Sequence, residues 1–308
     1  MTMTRHFLAI SDLDPDQLLR LIRRGRDHAA ADPRQESRLG LRGLSVAQLF
    51  YEPSTRTRCS FELAARRLGA DVLNLDIDTA STVKGETALD TAMTLAAMGV
   101  RLFVIRHADA ELIRTLADAL PPGCAVLNAG AGRRQHPTQA LLDMITLDEA
   151  GLDPAALSVS IVGDIRHSRV ASSVIAALQT LGCRRIRLGG PPAFLPETTP
   201  PEVEYHDNLA DTIRDADVVM TLRIQRERMQ AGELAGIDDY HHQWGLREAT
   251  LAKYAPRARI MHPGPMNRGV EIEDAVADGP RSLILDQVRN GVAARMAALE
   301  WLAEENQR

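Results

Sequence analysis

Nine short apolar runs alternate along this chain with stretches of helical period. The runs lie at 44–50, 71–76, 101–105, 124–128, 158–163, 184–188, 202–206, 217–222 and 258–261. Helical candidates lie at 14–30, 55–68, 86–98, 109–119, 137–149, 168–181, 208–215, 246–253 and 289–305. A parallel strand pair needs a long crossover, usually a helix, so this alternation predicts an α/β fold with parallel sheets flanked by helices. Two helices are well punctuated. The one at 168–181 sets Val170, Val174, Ala177, Leu178 and Leu181 on one stripe and stops at Gly182, a favoured residue just past a helix end. The one at 137–149 opens on Pro137, whose missing N–H costs nothing in a first turn.

With 308 residues the chain is long enough for two domains. The pattern breaks and restarts around Ala150-Gly151-Leu152-Asp153-Pro154. The expected domains are therefore 1–150 and 151–288, each built on a mostly parallel sheet. The last helix has no strand after it, and 289–308 is expected to pack back on the first domain.

The 36 basic against 41 acidic residues give a net charge of −5, which argues against nucleic acid as a partner. The local arginine clusters are more informative against that background. Cys59, Cys124 and Cys183 are scattered and lack metal-ligand spacing, which argues against disulfides and structural zinc and fits a cytoplasmic protein. No apolar run approaches the ~20 residues of a membrane span, and the first ten residues do not read as a signal peptide.

In open parallel sheets ligands bind beyond the carboxyl ends of the strands. Six polar clusters stand there. They are Ser54-Thr55-Arg56-Thr57, Arg106-His107, His136-Pro137-Thr138-Gln139, Arg166-His167-Ser168-Arg169, Arg223-Ile224-Gln225 and His262-Pro263-Gly264-Pro265. Three fall in each half, which places an expected active site in the interdomain cleft. Ser54–Thr57 opens a helix, where free N–H groups and the dipole suit a phosphate and Arg56 can bind it bidentately. Its other reading is a capped helix start with solvated arginines. Arg106 either caps a strand edge or meets the same anion. His136 either caps the helix from Pro137 or, held neutral by the dipole, donates a hydrogen bond to a developing oxyanion. Arg169 and Arg223 suit a small dicarboxylate or stand at the surface. The segment 76–86, with Lys84 near its end, reads as an active-site lid or as an exposed loop. Without GxGxxG or GxxxxGK[ST], neither a nicotinamide cofactor nor a P-loop is expected.

Taken in order, Ser54-Thr55-Arg56-Thr57-Arg58, Lys84-Gly85-Glu86-Thr87, Arg106-His107, His136-Pro137-Thr138-Gln139 and His262-Pro263-Gly264-Pro265 resemble the aspartate/ornithine carbamoyltransferase family over essentially the whole chain. The run His262-Pro263-Gly264-Pro265-Met266-Asn267-Arg268-Gly269 and the segment Thr221–Gln225 resemble its aspartate branch, whereas ornithine-specific members typically carry His-Cys-Leu-Pro in the former place. The resemblance implies transfer of a carbamoyl group from carbamoyl phosphate to L-aspartate, a step of pyrimidine biosynthesis, without cofactor or metal. The alternatives are another amine acceptor such as ornithine, or a non-catalytic phosphate- or effector-binding homologue.

The resemblance also implies roles. Ser54, Thr55, Arg56, Thr57 and Arg106 would hold carbamoyl phosphate. His136 and Thr57 would polarise its carbonyl, Gln139 would meet its amide, and the backbone at Gly264 and Pro265 would orient the reactants. Lys84, Arg169, Arg223 and Gln225 would bind aspartate. Ser81 and Lys84 would enter a neighbouring subunit's site, making a homotrimer, with regulatory or dihydroorotase-like chains as further partners. Two departures stand out. The segment Ser81–Lys84 looks shorter than in some members, and Val170 follows Arg169 where some members have Thr.

Overall fold

The computed structural model describes residues 4–31, 40–75, 86–132, 135–198, 202–224 and 237–307. The chain forms two compact units, Met1–Ile145 with Arg289–Arg308, and Thr146–Val288. In the first, β1 (Ser45–Phe50), β2 (Asp71–Leu75), β3 (Leu102–His107) and β4 (Ala125–Ala131) form a sheet in the order β2-β1-β3-β4. In the second, β5 (Ser158–Val162), β6 (Arg185–Gly189), β7 (Val203–His206), β8 (Val218–Thr221) and β9 (Arg259–Met261) follow the order β7-β6-β5-β8-β9. Every strand pair in both sheets is parallel. All nine expected strands therefore form, within a few residues of their expected ends.

Strands covered on both faces read as continuous apolar runs, and β4, β5 and β8 are buried at every position. Leu49, Phe103, Ile105, Ile113, Leu116 and Val126 pack together in the first unit. Val219, Ile260, Trp244, Leu246, Leu251 and Ile272 do so in the second. The outer edge of β4 pairs with the amino-terminal segment, where Phe7 N–H donates to Val126 O at 2.8 Å and Asn128 N–H to Phe7 O at 3.0 Å.

Local chemistry sets the helix ends. Asp14 and Gln17 cap the helix Pro15–Ala30 reciprocally, each side chain accepting from the other's N–H. Ser168 Oγ accepts from Ala171 N–H to open Arg169–Thr180, and Gly182 follows its end at φ +84°. Helices at Ile237–Trp244 and Asp274–Ala277 were not anticipated, and the last helix runs Ile284–Gln307, starting five residues earlier than expected. Its Trp301 meets Phe7 edge-on at 5.9 Å, and its Glu300 Oε2 lies 2.8 Å from His28 Nε2. No helix among the described residues is long and apolar enough to cross a membrane.

Candidate active site

In the first unit, β1, β3 and β4 are neighbours, so their carboxyl ends lie side by side. The helix Thr55–Arg67 follows β1 with Ser54 as its N-cap residue. The Ser54 side chain makes no capping hydrogen bond. That weakens the reading of this serine as a simple cap and leaves its hydroxyl and the helix start suited to an anion. Thr55 and Arg56 are exposed, whereas Thr57 is buried in the first turn.

Arg106 pairs in register with Phe50 and belongs to β3, not to the loop after it. It is 8% exposed. Its Nη1 donates to Ala129 O at 3.3 Å and its Nε lies 3.5 Å from Glu52 Oε2. Ala129 on one flank and Glu52 on the other orient the guanidinium beside the segment that carries Ser54–Thr57.

Past β4, Gly132 turns the chain at φ +49°, where a Cβ would come 2.9 Å from Ala108 O. Ala131 and Gln135 then exchange both backbone hydrogen bonds, which brings His136 back to the end of β4. His136 is buried, and its carbonyl accepts from Gln139 N–H at 3.0 Å as the helix Pro137–Glu149 begins. Gln139 Nε2 donates to Asp143 Oδ1 at 3.0 Å, so the amide is aimed by a carboxylate one turn along. Tyr51, edge-on to His107 at 5.0 Å, stays neutral, because burial and then Glu86 push its phenol up to about 12.

Two contributors escaped the sequence reading. Arg295 lies on the last helix, fully buried, with its guanidinium 5.0 Å over Phe61 and Nη1 donating to Gly291 O at 2.6 Å. Burial above all, then the Arg56 charge, push it down to about 9, while Asp143 opposes the shift. A second cation therefore stands behind Arg56, and Asp143 faces both Gln139 and Arg295. The available signal was an arginine inside the apolar run Val292–Leu299.

In the second unit, β5, β8 and β9 are likewise adjacent. Gly163 leaves β5 at φ +123°, where a Cβ would come 2.8 Å from Leu222 O. The turn that follows is pinned by Asp164, whose Oδ1 accepts from His167 N–H at 3.2 Å and lies 2.8 Å from His167 Nδ1. Arg169 comes next, buried in the first turn of its helix. Arg166, the first residue of that cluster, is exposed and paired with Glu197 at 2.9 Å. Arg223 is half-buried just past β8.

Beyond β9, Gly264 N–H donates to His262 Nδ1 at 2.8 Å. That nitrogen is therefore unprotonated, and Nε2 carries the proton toward Glu271 Oε1 at 3.3 Å. Both residues are buried, and Glu271 Oε1 also accepts from Asn267 N–H. His262 thus shapes the turn holding Gly264, at φ +63°, and Pro265, joined by a cis peptide bond. Of the other expected site residues, Lys84 and Gln225 lie outside the described residues, as does Ser81. His28, His206 and His241, outside the strand-end clusters, contact Glu300, Glu204 and Val270 O.

The family models match accordingly. Residues 5–149 match the aspartate/ornithine carbamoyltransferase carbamoyl-P binding domain, and 155–302 match the Asp/Orn binding domain. The chain belongs to the aspartate/ornithine carbamoyltransferase family. It is 51% identical to the aspartate carbamoyltransferase catalytic subunit of Stenotrophomonas maltophilia, over 97% of this chain and 96% of that one. Aspartate transcarbamoylase from Trypanosoma cruzi, solved with carbamoyl phosphate and aspartate, superposes with TM-score 0.84 at 26% identity, covering 97% and 96% of the two chains. Ornithine carbamoyltransferase from Pyrococcus furiosus superposes almost as well, with TM-score 0.83 at 25% identity and 97% coverage of both chains. The backbone is thus common to both branches, and the sequence separates them.

Proposed function

We infer that this chain is an aspartate carbamoyltransferase, which moves the carbamoyl group of carbamoyl phosphate to the amino group of L-aspartate. The products are N-carbamoyl-L-aspartate and phosphate. The observation that carries this reading is the 51% identity, over nearly the full length of both chains, to catalytic subunits of that name. The strand-end residues supply the chemistry. The amine attacks the carbamoyl carbon, a C–N bond forms, and the carbonyl oxygen takes up negative charge. The C–O bond to phosphate then breaks and phosphate leaves.

Ser54, Thr55, Arg56 and Thr57 hold the phosphate at a helix N-terminus, and Arg106 spans phosphate and carbonyl oxygen. Thr57 and His136 stabilise the oxyanion, and Gln139 meets the carbamoyl amide. Arg169, Arg223 and Gln225 bind the aspartate carboxylates, and the backbone at Gly264 and Pro265 orients the reactants. Lys84 reaches a neighbouring copy's site within a cytoplasmic homotrimer. The name "catalytic subunit" borne by the relatives supports an assembly with other chains, of regulatory or dihydroorotase-like type.

The test is to assay carbamoyl phosphate with L-aspartate and, separately, with L-ornithine. Phosphate release and N-carbamoyl-L-aspartate with the first alone are expected. Turnover only with ornithine moves the chain to the other branch, and none with either makes it a binding homologue.

A further inference from the structure

In the second unit a cavity of about 450 Å³ opens on one face of the sheet, lined by Ser158, Arg185, Arg187, Glu204, His206 and Arg214, among others. Its origin is a mismatch of lengths. In β6, Ile186 and Leu188 are buried while Arg185 and Arg187 point to the other face. The helix Leu209–Ile213 covers that face only at the strand's carboxyl end, where a Cβ on Gly189 would strike Thr212. Five helical residues rise about 7.5 Å, whereas five strand residues span about 16 Å. The amino-terminal half of the face is therefore left open, with Ser158 and Arg185 in register as the first residues of β5 and β6.

The charges in this cavity are unevenly matched. Arg214 is paired with Asp211 at 2.8 Å and lies 5.2 Å over Tyr254. Glu204 stands largely in solvent, 3.6 Å from His206. Arg185 and Arg187 meet only neutral acceptors among the described residues. Arg185 Nη2 donates to Ala156 O at 2.7 Å. Arg187 Nη1 donates to Asp211 O at 3.2 Å and to Arg214 O at 2.6 Å, and its Nη2 to Ser158 Oγ at 2.6 Å. These bonds fix both guanidinium forks without neutralising them. Burial above all pushes Arg187 down from the ordinary arginine range, with the Arg185 and Arg214 charges adding to the shift and the Glu204 and Asp215 carboxylates opposing it.

We propose that this cavity is a second anion site, taking a small phosphorylated ligand between Arg185 and Arg187. Ser158 and Arg185 stand at the amino ends of β5 and β6, and His206 of the lining closes β7, whereas Arg169, Arg223 and His262–Pro265 follow the carboxyl ends of β5, β8 and β9. A ligand here does not compete with the reactants for the same groups, so it acts as an effector or a stabiliser of this unit.

The test is calorimetric titration of inorganic pyrophosphate into the whole protein, first saturated with N-(phosphonacetyl)-L-aspartate to fill the reaction site. Uptake of that analogue is read separately beforehand, so a failure of the functional reading appears there. A saturable pyrophosphate step is expected in the wild type. Each charge-assisted hydrogen bond is worth on the order of a tenfold change in affinity, so Arg185→Gln and Arg187→Gln should each weaken the step at least about tenfold. Arg185→Gln removes an exposed side chain with one carbonyl contact, so it folds and keeps wild-type turnover even if Arg187→Gln does not fold. Repeating with ATP identifies a nucleotide by tighter binding, and a free anion by equal or weaker binding. No saturable step in the saturated wild type, or equal affinity in Arg185→Gln, overturns the proposal.

Discussion

The charge that matters most for the proposed reaction is the one that appears on the carbamoyl oxygen. His136 is buried at the start of a helix whose dipole favours neutral imidazole, so in the proposed reaction it would act as a hydrogen-bond donor that needs no reorganisation. His136→Ala should lower turnover by about 10²–10³, with a much smaller change in the KM for carbamoyl phosphate. Steady-state kinetics checks this, and an unchanged turnover number removes the role. Arg295 acts one layer further back. A buried cation beside Phe61 with no carboxylate hydrogen bond among the described residues contributes little to stability, because its desolvation offsets its contacts. Arg295→Met, which keeps the volume, should therefore leave thermal stability unchanged or raised. Losing a charge that already acts on Arg56 should weaken phosphate binding by about tenfold, on the order of 1.4 kcal/mol. Wild-type phosphate affinity in a folded Arg295→Met protein would show that the charge is not felt at the site.

At the scale of elements, the turn after β9 shows how a loop is held without regular structure. Glu271 accepts from both His262 Nε2 and Asn267 N–H, and His262 Nδ1 in turn accepts from Gly264 N–H. Glu271→Leu strands the buried His262 donor and the half-buried Asn267 N–H, at about 1–3 kcal/mol each. Melting should fall by about 5 °C or more, with turnover reduced as Gly264 and Pro265 shift. Glu271→Gln keeps an acceptor oxygen and should recover most of both. Equal melting and turnover in Glu271→Leu would mean that the network holds nothing. The legibility of the chain follows similar lines. Strands buried on both faces, such as β4, β5 and β8, are continuous apolar runs and so were readable, the partly exposed β2, β6 and β7 were read from their place in the alternation, and a polar cluster after six of the nine runs marks where chemistry collects. Ile237–Trp244 was missed because its run IDDYHHQW is mostly polar, and Tyr240 and Trp244, one turn apart and buried, are the sole hint of a packed face. Asp274–Ala277 is too short to show a period. Arg295 was missed because its partners come from distant sequence: Phe61 and Arg56 belong to the helix after β1, and Asp143, though one turn from Gln139, matters at the site only once Arg295 is beside it.

At the scale of the whole molecule, the proposed trimer makes an arithmetical prediction. If each site takes Arg56 from one copy and Lys84 from the next, then Arg56→Ala and Lys84→Ala homotrimers are each nearly inactive. In a closed ring of three, any mixed trimer has one junction, and only one, where an intact Arg56 faces an intact Lys84. Random mixing of equal amounts makes about three quarters of the trimers mixed, each with one working site in three, so about a quarter of wild-type activity should return. The measurement is turnover after dissociation and reassociation of the two variants, with the trimer mass confirmed in the same sample. Sites completed within a single chain cannot be restored by exchange, because every copy then carries its own lesion. Activity no higher than the mean of the two homotrimers, in a preparation shown to contain mixed trimers, would therefore place Lys84 and Arg56 in the same subunit's site or remove Lys84 from the chemistry.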